Sequence, residues 1–218
     1  MDTSNIRAIS FDCYGTLIDW QTGILAALTS LTSLPPQELL RRFAQAERTA
    51  EQPPYRPYRA VLRDVAADIL GADSPHLDVL WKSVGMWPAF PDTVASLRRL
   101  QARFRVAIAS NVDRDLFAGT LPRLGITPDV VVLAQDVASY KPGRAHFDAL
   151  LQQLQLPAQH ILHAGESRFH DVIPATALGF PTAWVHRVQQ GHSASGDDVA
   201  QATLTVDSMT ALADVLGC

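Results

Sequence analysis

Asp12 ends the apolar run Ile6-Arg7-Ala8-Ile9-Ser10-Phe11, and the turn Tyr14-Gly15-Thr16 follows it. In a parallel α/β sheet, ligands sit at the carboxyl ends of strands, so a carboxylate placed there faces a substrate. Gly15 lets the chain turn sharply and approach a ligand closely. Thr16, four residues after Asp12, brings a hydroxyl able to hold the carboxylate or the substrate. Capping of a helix is the other use of an Asp in this place. Three later apolar runs end the same way. Ser110-Asn111 closes one, Lys141-Pro142 lies just past the next, and Glu166, Ser167 and Asp171 follow the last. Taken singly, Ser110-Asn111 reads equally as a helix cap and Lys141 as a solvated lysine at a helix start. Four polar groups in register at one sheet edge make a site.

The elements that must position these groups follow from periodicity. Strands are predicted at 6–12, 104–110, 130–134, 161–164, 182–185 and 203–206, separated from residue 91 onward by helices at 91–103, 113–124, 143–154 and 169–178. Alternation of this kind, with nearly continuous apolar strands, implies a parallel sheet covered on both faces. Between the first strand and residue 91 the pattern is helical throughout, with helices predicted at 21–33, 37–50 and 58–70 and a short one reaching Trp87. Pro35-Pro36 opens the second of these, as prolines do in a first turn. The expected organisation is an α/β core made of residues 1–17 and 91–218, with residues 18–90 inserted as a helical cap. The polar stretch from about 188 to 199 is expected to be a mobile loop.

Composition narrows the partners. The 218 residues, 47% of them hydrophobic, suffice for one large domain or a core with a modest insertion, and the net charge of −4 points away from nucleic acid and anionic membranes. No apolar run approaches the ~20 residues that span a bilayer. The N-terminus lacks the basic and apolar regions of a signal peptide. The two cysteines, Cys13 and Cys218, form neither a disulfide framework nor a zinc site, and a reducing cytoplasm is the expected location. Cys13 reads as a small buried filler.

Phe11-Asp12-Cys13-Tyr14-Gly15-Thr16-Leu17, followed in order by Ser110-Asn111, Lys141-Pro142 and Gly165-Glu166-Ser167 with Asp171, resembles the four motifs of the haloacid dehalogenase superfamily across essentially the whole chain. The resemblance implies a Rossmann-like sheet, a helical cap after the first strand, and attack by Asp12 on a small anionic substrate to give an ester or acyl phosphate that water then cleaves. A homodimer is implied on the same ground. In that chemistry Lys141 keeps Asp12 ionised. Ser110 and Asn111 hold an anionic group. Asp171 orients or deprotonates the water.

Two branches of the superfamily compete. Its phosphatases carry a second aspartate two residues after the nucleophile to protonate a leaving alkoxide; here that position is Tyr14, a poor acid with a reference pKa of about 10. Halide leaves without a proton, and Tyr14 is the residue of the L-2-haloacid dehalogenase branch. Metal-free conversion of a small (S)-2-haloacid to a 2-hydroxy acid is the first expectation. Against it stand Glu166 and Asp171, which with Asp12 offer an oxygen shell of the kind Mg²⁺ takes in the phosphatases. Phe147 stands where the dehalogenases have a tyrosine. Their halide-contacting cap arginine has no single match among Arg41, Arg42, Arg56 and Arg59; Arg42 is taken as the substrate-side candidate. Trp20, Tyr55, Tyr58 and Trp87 are expected to wall an apolar chamber under the cap. A phospho-aspartate receiver domain shares the residue types but carries its acceptor on a later strand and has no cap.

Overall fold

Residue types fix the sheet first. The short strands are apolar on both faces, and β1 (Ala8–Phe11) is buried at every position, the condition of a strand sandwiched between two helical layers. In the computed structural model, which describes residues 4–187 and 201–218, six strands lie in the order β3-β2-β1-β4-β5-β6. They are β1, β2 (Arg105–Ser110), β3 (Val130–Leu133), β4 (Ile161–Gly165), β5 (Thr182–Val185) and β6 (Leu204–Val206). Every pairing is parallel. Phe11 pairs with Ile108 on one side and Ala164 on the other, so the residues after β1, β2 and β4 emerge at one edge, where the strand order reverses and ligands bind. The loop expected at 188–199 lies outside the described residues.

The helices between β1 and the next core element are α1 (Trp20–Leu28), α2 (Pro36–Ala50), α3 (Tyr58–Leu70) and α4 (Val79–Ser83). Helix α1 is shorter than the 21–33 expected. Thr29 turns its hydroxyl onto the Leu25 carbonyl at 2.6 Å, and the Thr/Ser-rich stretch beyond it favours turns over helix. Helix α2 begins at Pro36 and buries Leu39, Leu40 and Phe43. The N-terminus of α3 is held by the core. Asp113 accepts hydrogen bonds from the backbone N–H groups of Tyr58 and Arg59, both at 3.0 Å, and from the Tyr55 hydroxyl at 3.2 Å. A carboxylate on two free N–H groups at a helix start satisfies donors that the helix cannot. The helical insertion is thereby pinned to the sheet edge.

The remaining helices are α5 (Thr93–Gln101), α6 (Arg114–Leu124), α7 (Ala134–Val137), α8 (Ala145–Leu154), α9 (Ile173–Ala177) and α10 (Met209–Val215). The helix expected at 169–178 is divided: a π-helical turn, Arg168–Val172, precedes α9. Wide turns of this type recur at functional sites, and this one carries Asp171.

Candidate active site

Gly15 has φ +100°, a conformation side chains rarely adopt, and it lets the chain double back after Asp12. The Gly15 N–H donates to the Ile18 carbonyl at 2.8 Å, and the Leu17 N–H to that of Cys13 at 2.8 Å. The turn places Thr16 beneath the nucleophile candidate: its hydroxyl donates to Asp12 Oδ2 at 2.9 Å and accepts the Glu166 N–H at 2.9 Å. Motifs one and four are thus joined through one oxygen.

Lys141 is 1% exposed and donates to three oxygens: Asp12 Oδ1 at 2.8 Å, Asp171 Oδ1 at 2.6 Å and the Ala109 carbonyl at 2.8 Å. An ammonium with three donors is fully used by these acceptors. Asn111 clamps the Lys141 backbone from both sides, accepting from its N–H at 2.8 Å and donating to its carbonyl at 3.1 Å. Asn111, expected to hold substrate, lines the cavity and also sets the position of the lysine. Asp171 Oδ1 also meets His163 Nε2 at 3.0 Å, and His163 Nδ1 meets the Ser10 hydroxyl at 2.8 Å. Gly165 makes room for this cluster, since a Cβ there would stand 2.7 Å from the Asp171 side chain.

These contacts set the charge states. Burial pushes the Asp12 carboxyl up, against the pull of Lys141. Burial acts on Asp171 in the same sense, but Lys141 and His163 outweigh it and hold that carboxyl below the ordinary range. For Lys141 the two carboxylates overcome burial and keep it charged. Burial raises Tyr14 well above the usual phenol range, and its hydroxyl bonds Thr120 Oγ1 at 2.9 Å. Tyr14 therefore offers its ring to the site and no acid. Burial, and then the neighbouring Asp12, raise the Cys13 thiol, as suits a buried filler.

A cavity of about 90 Å³ lies over Asp12, with Tyr14, Ser110, Lys141, Glu166 and Asp171 on its core side. Trp20, Tyr58 and Trp87 wall it from the cap. Tyr55, expected among them, turns its hydroxyl to Asp113 instead. Two buried polar atoms of the lining have no partner among the described residues, Ser110 Oγ and Asp171 Oδ2. Both belong to residues that line the cavity.

Arg42 is not brought to the site. It pairs with Asp68 on the outer surface, Nε to Oδ2 at 2.9 Å. Arg41 pairs with Glu38, Arg56 with Asp64 and Arg59 with Asp115, all exposed. Long charged side chains on cap helices reach water and local partners more cheaply than a desolvated cavity. Phe147 is fully buried edge-on against His163 and does not line the cavity. The carboxylates considered for Mg²⁺, Asp12, Glu166 and Asp171, all line the cavity. Lys141 joins Asp12 to Asp171, and among the described residues no three of His, Cys, Asp or Glu gather in a metal-holding group.

Two further residues, not picked out from the sequence, line the cavity from the cap: Glu47 and Glu51 of the α2 segment. Glu47 accepts from the Tyr58 hydroxyl, and Glu51 accepts from Asn111 Nδ2 at 3.4 Å. Burial pushes Glu47 up to about 7 and Glu51 well above the usual range, the second helped by Glu47. The signal was available. Leu40, Phe43, Glu47 and Glu51 recur at steps of three and four, so both acids continue the apolar stripe of the helix.

A single-chain α/β hydrolase site at the switch point of a 3-2-1-4-5-6 sheet is thereby defined. Residues 6–179 match the family model described as haloacid dehalogenase-like hydrolase, and the chain belongs to that family of hydrolases. It is 24% identical over 204 residues, 85% of this chain and 86% of the relative, to (S)-2-haloacid dehalogenase 1 of Pseudomonas sp. (strain CBS-3). The L-2-haloacid dehalogenase of Xanthobacter autotrophicus superposes with a TM-score of 0.84 at 20% identity, covering 97% of this chain and 98% of the other; that enzyme has also been solved with chloropropionic acid covalently bound. The putative HAD-hydrolase YfnB of Bacillus subtilis, solved with magnesium, superposes with a TM-score of 0.77 at 18% identity over 98% of this chain and 99% of that one.

Proposed function

We propose that the chain is a hydrolytic dehalogenase of small 2-halo acids that works through a covalent ester on Asp12, with residues 18–90 acting as the cap that excludes water. The observation that carries this reading is the Lys141 ammonium, bound to both Asp12 and Asp171 at the floor of a small cavity.

In the first step an Asp12 carboxylate oxygen attacks C2, the C–O bond forms as the carbon–halogen bond breaks, and halide departs with the electron pair. Aspartate is a weak nucleophile, so the rate comes from fixed orientation in a site shielded from water. Thr16 and Lys141 hold the two Asp12 oxygens. In the second step a water attacks the ester carbonyl of Asp12. Asp171, held ionised by Lys141 and His163, takes its proton through the partnerless Oδ2. As the tetrahedral intermediate collapses, the bond from the Asp12 carbonyl carbon to the substrate oxygen breaks, and the leaving alkoxide takes that proton back from Asp171. The 2-hydroxy acid departs, and Asp12, left as a carboxylic acid, gives its proton to solvent and is regenerated. The Ser110 hydroxyl is free to donate to the substrate carboxylate. Tyr14, raised in pKa and bonded to Thr120, supplies no proton, and halide needs none.

The deciding assay sets halide release from (S)-2-chloropropionate beside phosphate release from a panel of small phosphate esters, each with and without EDTA. Chelator-insensitive halide release, absent in Asp12→Asn, is the expected result. Phosphate release that stops on chelation, with no halide release, overturns the dehalogenase reading and favours the phosphatase.

A further inference from the structure

We infer that the cap side of the cavity is a binding site for an ammonium group, formed by Glu47 and Glu51, so that among small 2-halo acids those that also bear a protonated amine are preferred. The inference refines the substrate class of the dehalogenase reading and rests on that reading for the reaction.

The charge balance of the cavity leads there. Five carboxyl groups line it (Asp12, Glu47, Glu51, Glu166 and Asp171), and among the described residues Lys141 is the only lysine or arginine to do so. That lysine is already bonded to Asp12, Asp171 and a carbonyl. His170, also in the lining, is pushed by burial down to about 4 and stays neutral. Among the described residues the cap side offers an anion no positive partner, whereas its two carboxyl groups can give up their protons to balance a bound cation.

The hydrogen-bond directions agree. Glu47 accepts a hydrogen bond from the Tyr58 hydroxyl, and Glu51 accepts one from the Asn111 amide. Both carboxyl groups are therefore set as acceptors, and among the described residues neither has a cationic partner within ion-pair distance. Two adjacent acids in this state hold protons for want of a cation, which is the sense in which burial moves both. An ammonium group supplies the missing donors and charge. The aromatic walls, Trp20 and Tyr58, favour an organic cation over a hydrated metal ion.

A separate observation marks the opposite wall. Ser110 is fully buried, lines the same cavity and has an unpartnered hydroxyl. It is suited to a carboxylate oxygen, so the two walls together fit a zwitterion of a few heavy atoms, with its acid end on the core and its amine end on the cap.

Calorimetric titration of the intact protein at pH 8 with n-propylammonium, 1-propanol and propionate tests the site without turnover. Propylammonium is expected to bind at least tenfold more tightly than 1-propanol. In Glu47→Gln/Glu51→Gln that preference is expected to disappear while 1-propanol binding is unchanged; thermal melting of the variant confirms that it is folded. Absence of detectable propylammonium binding, parity with the alcohol, or a preference that survives in the double variant each overturns the inference. Because no covalent step is involved, its failure is distinct from failure of the Asp12 reading, which halide release tests alone.

Discussion

The two walls of the cavity treat charge in opposite ways. On the core side Asp12, Lys141, Asp171, His163 and Ser10 form a continuous chain of contacts between 2.6 and 3.0 Å. The acids there are matched by a cation before any ligand arrives. On the cap side Glu47 and Glu51 meet a phenol and an amide but no cation among the described residues. Preorganised charge belongs where bonds change, because it need not rearrange during the reaction. Unmatched charge belongs where a ligand is selected, because the ligand completes it. On the proposed reading the core wall performs the chemistry and the cap wall selects the ligand.

The sharpest way to break that contrast is to remove the nucleophile. Asp12→Asn keeps the side-chain volume and is expected to lower kcat by more than about 1,000-fold, the scale of losing a covalent nucleophile, with little change in ligand binding. Steady-state halide release and calorimetry on one preparation measure both.

Removing the matching cation comes next. Lys141→Ala leaves Asp12 and Asp171 buried without their shared partner, and loss of one member of a buried ion cluster costs about 3–5 kcal/mol. Urea unfolding at neutral pH is expected to show that loss, and acidification to restore part of it as the carboxylates take protons.

A smaller effect sharpens the cap side. The folded chain keeps the Glu47 proton up to about pH 7, whereas the unfolded chain releases it near the ordinary carboxyl value. Between those values the folded state binds more protons, so stability falls as pH rises through the window. The expected decline is on the order of 1–3 kcal/mol, since each tenfold change in proton affinity is worth about 1.4 kcal/mol and solvent screens part of it. In Glu47→Gln the decline flattens; an unchanged pH profile of the unfolding midpoint removes the claim that burial holds this proton.

Least of all is expected from the outer cap. Arg42→Ala removes an exposed pair with Asp68 and is expected to change stability by less than about 1 kcal/mol and turnover not at all. A large loss of turnover in Arg42→Ala would return an arginine to the site.

Legibility in the sequence follows the same division. The strands of the core were readable because a parallel sheet buried on both faces writes itself as apolar runs, and a polar residue ending such a run has one place to go. Asp12, Ser110, Lys141 and Asp171 were located in this way, and the structure gathers them at one edge. Asn111 was located but not its partner, since a side-chain clamp on another residue's backbone leaves no periodic trace. Arg42 was misplaced because helical periodicity gives the face of a residue but not which of several arginines finds a local acid. Glu47 and Glu51 went unread because carboxylates in phase with an apolar stripe look like helix-surface charge until the stripe is followed past Phe43. The π-helical turn at Arg168–Val172 replaced a plain helix start, and no residue-type preference announces such a turn.

The central claim is a bond between substrate and Asp12, and the fate of solvent oxygen in a single turnover tests it most directly. With enzyme in excess over (S)-2-chloropropionate in H₂¹⁸O, water that attacks the Asp12 ester leaves the label in the Asp12 carboxylate and the first 2-hydroxy acid unlabelled. Peptide mass spectrometry is expected to find ¹⁸O at Asp12. Label in the hydroxyl of the first product, with none at Asp12, would mean that water attacks the substrate carbon directly and would contradict the account.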